Sequence, residues 1–266
     1  MKKYYFNFNL RTDVGLVRES NEDAIAGTYS TLVVADGVGG EPDGERASSY
    51  VVEEIIKAVS SDDFNPFNTK IVIEDAVHKA RVRLHQGYSW GNTTMIVSSI
   101  EQDVVHIAHV GDSRGYLFRD GKLSALTKDH SYVQRLVEFG EITEEEALYH
   151  PYRNIIEETI HSEIYKPARI EFSMQEIKEG DLIILCTDGL TDLILDKDIE
   201  KIINDNLHDG LSAINNALIN AAFTIEDDEL VAGKDNITIA IGEVVPLTKT
   251  STFQEPEIYT FYEEKE

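Results

Sequence analysis

Apolar residues along the chain follow two rhythms. Runs rich in β-branched residues at about 4–9, 31–35, 93–100, 103–109, 114–118, 181–186 and 236–244 predict strands. Apolar positions at helical spacing predict helices over 45–59, 71–86, 131–140 and 211–223. The stretch DVVHIAHVGDSRGYLFRDGKL reads as two or three antiparallel strands, with turns at Gly111-Asp112 and Asp120-Gly121. Strands come in blocks and helices in pairs, without strict β-α alternation. That order predicts a layered α+β sandwich and argues against a doubly wound parallel sheet.

Two segments break the pattern. Between Gly140 and Lys166 the chain is polar and irregular, with room for one short helix. Such a segment is a surface excursion or a flap over a site. From Pro246 the periodicity ends, so residues 1–245 read as one domain and 246–266 as an acidic tail. The tail is flexible by default, although Phe253, Tyr259, Phe261 and Tyr262 give it aromatics that can dock on the domain or a partner.

Composition narrows the partners. A chain of 266 residues, 42% of them apolar, buries a sizeable core in one large domain. Its formal charge of −25 repels nucleic-acid backbones and anionic lipids and favours cations. The single Cys186 rules out an internal disulfide and fits a reducing compartment. The basic start MKKYYFNFNLRTD never forms a signal-type apolar core, and no run is long enough to span a membrane. A soluble, cytoplasmic monomer is expected.

The chemistry lies in a repeated situation. Asp36 follows the strand LVVA, Asp188 follows LIILCT, Asp112 sits in the turn VGDSR, and Asp235 precedes the strand ITIAI. Asp192 lies four residues beyond Asp188, so a helical turn there points both the same way. One Asp-Gly is an ordinary turn. Five such aspartates, with little Lys or Arg beside them, suggest carboxylates converging on one edge of a core. Converging carboxylates repel and raise one another's pKa unless a cation joins them. Without a His or Cys cluster the set favours Mg²⁺ or Mn²⁺ over zinc, and no D-x-D-x-D-G loop marks calcium. His106 and His109, three apart on a strand, face opposite sides and read as core or surface residues. Two hard cations about 3.5–4 Å apart hydrolyse phosphate esters. Arg18, four residues before Glu22 and five before Asp23, is either a surface partner of Glu22 or a fork for phosphate oxygens. The glycines of ADGVGG suggest a phosphate cradle, yet the lysine and hydroxyl of a P-loop are missing.

VGLVRESNED, VVADGVGG, GNTTMIV, AHVGDSRGYL, LTKDHS, HPYRN, LIILCTDGLTD and KDNITIAI occur in the order found in metal-dependent Ser/Thr protein phosphatases. From about Thr12 to Ile241 the chain resembles this PPM, or type 2C, family in its compact bacterial form. The resemblance implies a four-layer α-β-β-α sandwich, two central antiparallel sheets flanked by helix pairs, with metals at one edge. It implies that Asp36 bridges two Mg²⁺ or Mn²⁺ ions and that Gly37 offers its carbonyl. Asp188 and Asp235 would hold the first ion and Glu22 the second, with Asp23 behind it. Asp112 and Asp192, with Asp188, match a third, weaker ion site. Arg18 matches the phosphate-gripping arginine, and 140–166 matches the flap. The implied reaction is hydrolysis of phosphoserine and phosphothreonine by a water activated between the ions, with no covalent phosphoenzyme. The implied partners are phosphorylated proteins, targets of a Ser/Thr kinase in a signalling circuit.

The sequence departs from the family in two places. Val38 stands where many eukaryotic members have a histidine acid, which leaves a metal-bound water or another residue, His130 or His150 among the candidates, as the proton donor. IIEETIHSEI after HPYRN differs from the usual pattern and alters the flap. Two other readings stand beside the phosphatase: a phosphoprotein-binding signalling module without turnover, and a phosphatase for another phosphoester. The acidic surface either favours substrates with basic flanks or serves solubility alone.

Overall fold

The structure, a computed structural model, describes residues 4–38, 43–61, 64–225, 231–248 and 251–260. The first half of the chain contains β1 (Tyr4–Asp13), β2 (Asp23–Gly27), β3 (Thr31–Asp36), α1 (Gly44–Val59), α2 (Thr69–Gln86), β4 (Asn92–Thr93), β5 (Met95–Glu101), β6 (Val104–Val110), β7 (Arg114–Arg119) and β8 (Lys122–Ala125). The second half contains α3 (Tyr132–Glu138), α4 (Glu144–Leu148), β9 (Ile160–His161), β10 (Glu171–Glu176), β11 (Leu182–Cys186), α5 (Asp188–Thr191), α6 (Asp196–Asn206), α7 (Leu211–Phe223), β12 (Ile237–Pro246) and β13 (Glu257–Tyr259).

β3 shows how the strands build layers. Leu32 and Val34 enter one apolar cluster and Val33 and Ala35 another, so the strand is buried on both faces and reads as a continuous apolar run. The cluster of Leu32 and Val34 also holds Phe6, Ile96, Ile183 and Ala240, drawn from two sheets. Those sheets run β1-β12-β11-β7-β8 and β10-β6-β5-β3-β2-β13, with antiparallel pairing throughout. On the six-stranded sheet, Val33 and Val97 pack under Val51 and Ile55 of α1 and Ile73 of α2. On the other, Ile184 and Ile239 pack under Ile199 of α6 and Leu218 of α7. The result is the expected four-layer α-β-β-α sandwich. Among the described residues no helix is long and apolar enough to cross a membrane.

Several elements differ from the local pattern. The turn at Asp120-Gly121 does close the β7–β8 hairpin, with both residues at positive φ. Gly111-Asp112 closes none: β6 lies in the six-stranded sheet and β7 in the other, so this turn carries the chain between layers. Gly111, at φ 105°, fits because a side chain there would strike Thr94. β2 escapes the β-branched signal because DAIAG is short and small, and β10 because EFSMQE is a largely exposed edge strand. α6 buries only Ile199 and Ile203, too few to set up a period. Within 140–166 the one α-helix is α4, besides the two-residue β9 that pairs with β4. The far side of this excursion is held by the buried Arg81, which donates to the carbonyls of His161 and Glu163 at 2.9 and 2.6 Å.

The described part of the tail lies against the domain. Phe253 lies 4.7 Å from the Tyr29 ring and meets Tyr5 edge-on at 5.3 Å. Gln254 exchanges two hydrogen bonds with the Phe8 backbone, and β13 adds a strand to β2 with Ile258 opposite Ala26. Apolar rings and unpaired strand edges gain more from docking than the short segment loses in freedom. Phe261 and Tyr262 lie outside the described residues.

Candidate active site

Strand ends from both sheets bring the carboxylates together. Antiparallel register sets Asp23, the first residue of β2, directly opposite Asp36, the last of β3. Asp112 follows β6, Asp188 follows β11, and Asp235 precedes β12. Asp192 lies one turn beyond Asp188, its N–H bonded to the Asp188 carbonyl at 2.8 Å, as the four-residue spacing predicts.

The backbone of Asp36 is pinned on both sides. Its N–H donates to Thr94 Oγ1 at 3.0 Å, and its carbonyl accepts from Thr94 N–H at 2.9 Å and Thr93 Oγ1 at 2.8 Å. Thr94 Oγ1 in turn lies 2.7 Å from Ser113 Oγ. The motif GNTT thus places Asp36, a role invisible in its local sequence. Gly37 is crowded: a side-chain carbon there would lie 2.5 Å from the Gly44 carbonyl and 2.7 Å from the Glu22 carbonyl. This glycine is required by the close approach of α1 and the Glu22 backbone. Gly39 and Gly40 of the cradle reading lie outside the described residues.

Asn236 organises the loop that carries Arg18 and Glu22. Its side-chain amide donates to the carbonyls of Val14 and Ser20, both at 2.9 Å, and its oxygen accepts from Glu22 N–H at 2.9 Å. Ser48 Oγ donates to the Glu22 carbonyl at 2.5 Å. Arg18 does not pair with Glu22 as a plain surface arginine would. Its guanidinium donates to Asp235 Oδ2 at 2.8 Å, which raises its pKa and sets a cation at the rim of the acidic edge.

Burial dominates the electrostatics. Asp36 and Asp188 are held well above the usual carboxylate range, by desolvation first and then by their neighbours' charges. For Asp36 those neighbours are Asp23, Asp188, Asp112 and Asp235. Desolvation also pushes Asp23 and Asp112 up to about 7, against Thr238 and Thr187 hydrogen bonds at Asp23. Glu22 rises through desolvation and the charge of Glu45. Asp192 differs, since Lys234 Nζ lies 2.6 Å and Arg153 Nε 3.8 Å from its Oδ2. Those cations compete with any metal at that residue.

The donor set fits hard divalent cations. It is all oxygen, Asp23 and Asp112 are buried and the other carboxylates half-buried, and Asp23 Oδ1 and Asp112 Oδ1 have no hydrogen-bond partner. A cleft of about 270 Å³ opens beside Asp112, Asp188 and Asp192, walled by α3, α4 and Arg153 from the excursion. Neither proposed proton donor lines it. His130 leans on His109 and Glu171, and His150 lies against Tyr132 and Tyr152.

A family model described as protein phosphatase 2C matches residues 17–217. The chain is 34% identical over 242 residues to the serine/threonine protein phosphatase PstP of Mycobacterium tuberculosis, covering 88% of this chain and 44% of that protein. It therefore spans less than half the length of that relative. With serine/threonine phosphatase stp of Listeria monocytogenes it shares 31% over 249 residues, 88% of this chain and 94% of the other. Among solved structures, Stp1 from Staphylococcus aureus superposes with a TM-score of 0.78 at 27% identity, over 91% of this chain and 97% of that one. The PstP catalytic domain in complex with two manganese ions superposes at 0.74 with 28% identity, over 91% and 99%.

Proposed function

The chain belongs to the protein phosphatase 2C family, and from that premise we propose that it removes phosphate from phosphoserine and phosphothreonine in proteins, using Mg²⁺ or Mn²⁺. The observation that carries this reading is the meeting of buried and half-buried, partly unpartnered carboxylates from both sheets at one edge, with Arg18 at the rim. Bound there, two such cations would polarise phosphoryl oxygens and would bring the deprotonation of water near neutral pH.

The chain's own residues divide the remaining work. Asp36, pinned by Thr93 and Thr94, would serve both cations, with the Gly37 carbonyl beside it. Asp188 and Asp235 would hold one cation and Glu22 the other, with Asp23 supporting from behind and bonded to Thr187. Asp112 and Asp192 would take a third ion weakly, because Lys234 already neutralises Asp192. Arg18 would turn its guanidinium fork to the substrate phosphate and steady it for in-line attack. Val38 has no transferable proton and neither His130 nor His150 lines the cleft, so water would protonate the leaving oxygen. The substrates would be phosphoproteins made by a Ser/Thr kinase.

The test is Mn²⁺-dependent phosphate release from a phosphothreonine peptide, with metal affinity measured in parallel. Asp36→Asn is expected to lose activity and metal affinity together. Tight Mn²⁺ binding by the unaltered chain with no turnover would overturn the reading in favour of a phosphoprotein-binding module.

A further inference from the structure

Three residues before Asp112, β6 carries a histidine for which the phosphatase reading has no use. His109 is 1% exposed, and neither ring nitrogen makes a hydrogen bond of good geometry. The backbone of Ser113 and Gly111 lies close enough to interact with the ring, and a buried imidazole so weakly partnered gains from anything that binds its lone pair. Burial, helped by His130 nearby, pulls its pKa down to about 3, so the ring is neutral at physiological pH. Neutral imidazole is the metal-binding form.

Two further donors face it. Glu171 sits directly opposite His109 in the β10–β6 register, and the His130 ring centroid lies 4.6 Å from that of His109. His130 Nε2 is 3.2 Å from Glu171 Oε2. One nitrogen from each ring and one Glu171 oxygen all lie within 4.8 Å of one another. Ligands bound to zinc at about 2.0–2.1 Å are roughly 3.4 Å apart, so the His130–Glu171 pair already has that spacing. The remaining donor pairs, within 4.8 Å, would close to about 3.4 Å around one ion.

We propose that His109, His130 and Glu171 form a second metal site, separate from the carboxylate edge, for a borderline divalent cation of the Zn²⁺ type. Two imidazoles and one carboxylate are a zinc donor set, whereas Mg²⁺ and Mn²⁺ prefer the all-oxygen edge. The Glu171 side chain is 62% exposed and gives the ion a route from solvent. The site has a structural consequence. His130 and Glu171 bracket the stretch 131–170, which holds α3 and the excursion with α4 and β9, so one ion ties both of its ends to β6. It also reaches the turn before Asp112. His130 Nδ1 accepts from Gly111 N–H at 3.2 Å, which puts the proton of the neutral ring on Nε2. Ligation through Nε2 moves that proton to Nδ1 and breaks the Gly111 bond.

The experiment titrates Zn²⁺ into the full chain by calorimetry in excess Mg²⁺, which occupies carboxylates and leaves imidazoles free. One Zn²⁺ per chain is expected, retained in Asp36→Asn and weakened about tenfold or more in His130→Gln and Glu171→Gln. Glu171 lies on an exposed edge strand, so its substitution leaves the fold intact. Saturation is also expected to shift the Gly111 amide resonance. The proposal is overturned if no Zn²⁺ binds in Mg²⁺. It is equally overturned if Asp36→Asn abolishes Zn²⁺ binding while the His130 and Glu171 variants keep it. Neither result bears on phosphate release, which is measured separately with Mn²⁺.

Discussion

Asp36 is held by its backbone, which sets its carboxylate against that of Asp23. Thr94 contributes two of the bonds involved and passes one on to Ser113. Thr94→Val removes the oxygen that accepts from Asp36 N–H and leaves that buried donor unsatisfied. A stability loss of about 1–3 kcal/mol is expected in urea unfolding, with weaker Mn²⁺ binding in the same variant. Arg18 is the complementary case, a half-exposed cation whose partner is a proposed metal ligand. Arg18→Ala is expected to lower kcat/KM by about ten- to a hundredfold, the value of a charge-assisted bond of ~1.5–3 kcal/mol, while Mn²⁺ affinity changes little. Unchanged steady-state kinetics in that variant would remove Arg18 from the site. Arg18 as such was legible in the sequence. Its partner was not, because Asp235 lies 217 positions away.

At the scale of elements, the active edge depends on strands that end together. β2 begins and β3 ends on facing aspartates because their register is set by the tight Thr28–Thr31 turn, in which Thr28 N–H donates to the Thr31 carbonyl at 2.7 Å. The outer edge of β2 is covered by β13, anchored through Phe253 and Gln254. Phe253→Ala removes two ring contacts, each worth about 0.5–1.5 kcal/mol beyond area burial. The expected result is a stability loss of that order and faster amide exchange along β2, with exchange in β11 unchanged. Exchange along β2 identical to that of the unaltered chain would show that the tail contributes nothing to that edge. Sequence reading located the aromatics of the tail but not their partners, since Tyr5 and Tyr29 are distant in the chain.

For the whole molecule the governing quantity is negative charge, buried at one edge and spread over the surface. Asp23 and Asp112, pushed up to about 7, keep a proton in the folded, metal-free chain where the unfolded chain has already lost it. The folded state then binds more protons, so stability falls as pH rises between the ordinary value of 3.8 and about 7. Metal-free melts are expected to give a higher Tm at pH 5 than at pH 7.5, and Mn²⁺ to raise Tm more at pH 7.5. A metal-free Tm that climbs with pH contradicts this. Under the proposed function the surface charge would act on substrates as well. With a net −25, peptides with basic flanks are expected to be cleaved faster than acidic ones at low salt, with the gap closing as salt rises. Equal rates at low salt would leave the charge with no role in substrate choice.

What the sequence by itself determined is what neighbouring residues encode. An apolar run ending in aspartate is contiguous, so Asp36, Asp112, Asp188 and Asp235 were visible as strand-end carboxylates, and their number implied hard cations. Blocks of strands and pairs of helices implied the layered class. The four-layer form and the individual roles came from the family resemblance, and the observed fold has that form. Only the tertiary structure decided that Gly111-Asp112 crosses between sheets, that Arg18 meets Asp235, and that the tail completes a sheet. It alone brought His109, His130 and Glu171 together, although strand alternation had rightly separated His109 from His106. The physical reason is the same in each case. Periodicity reports which face of one element is buried, whereas contacts between distant residues depend on sheet register and layer packing, which no local stretch of sequence contains.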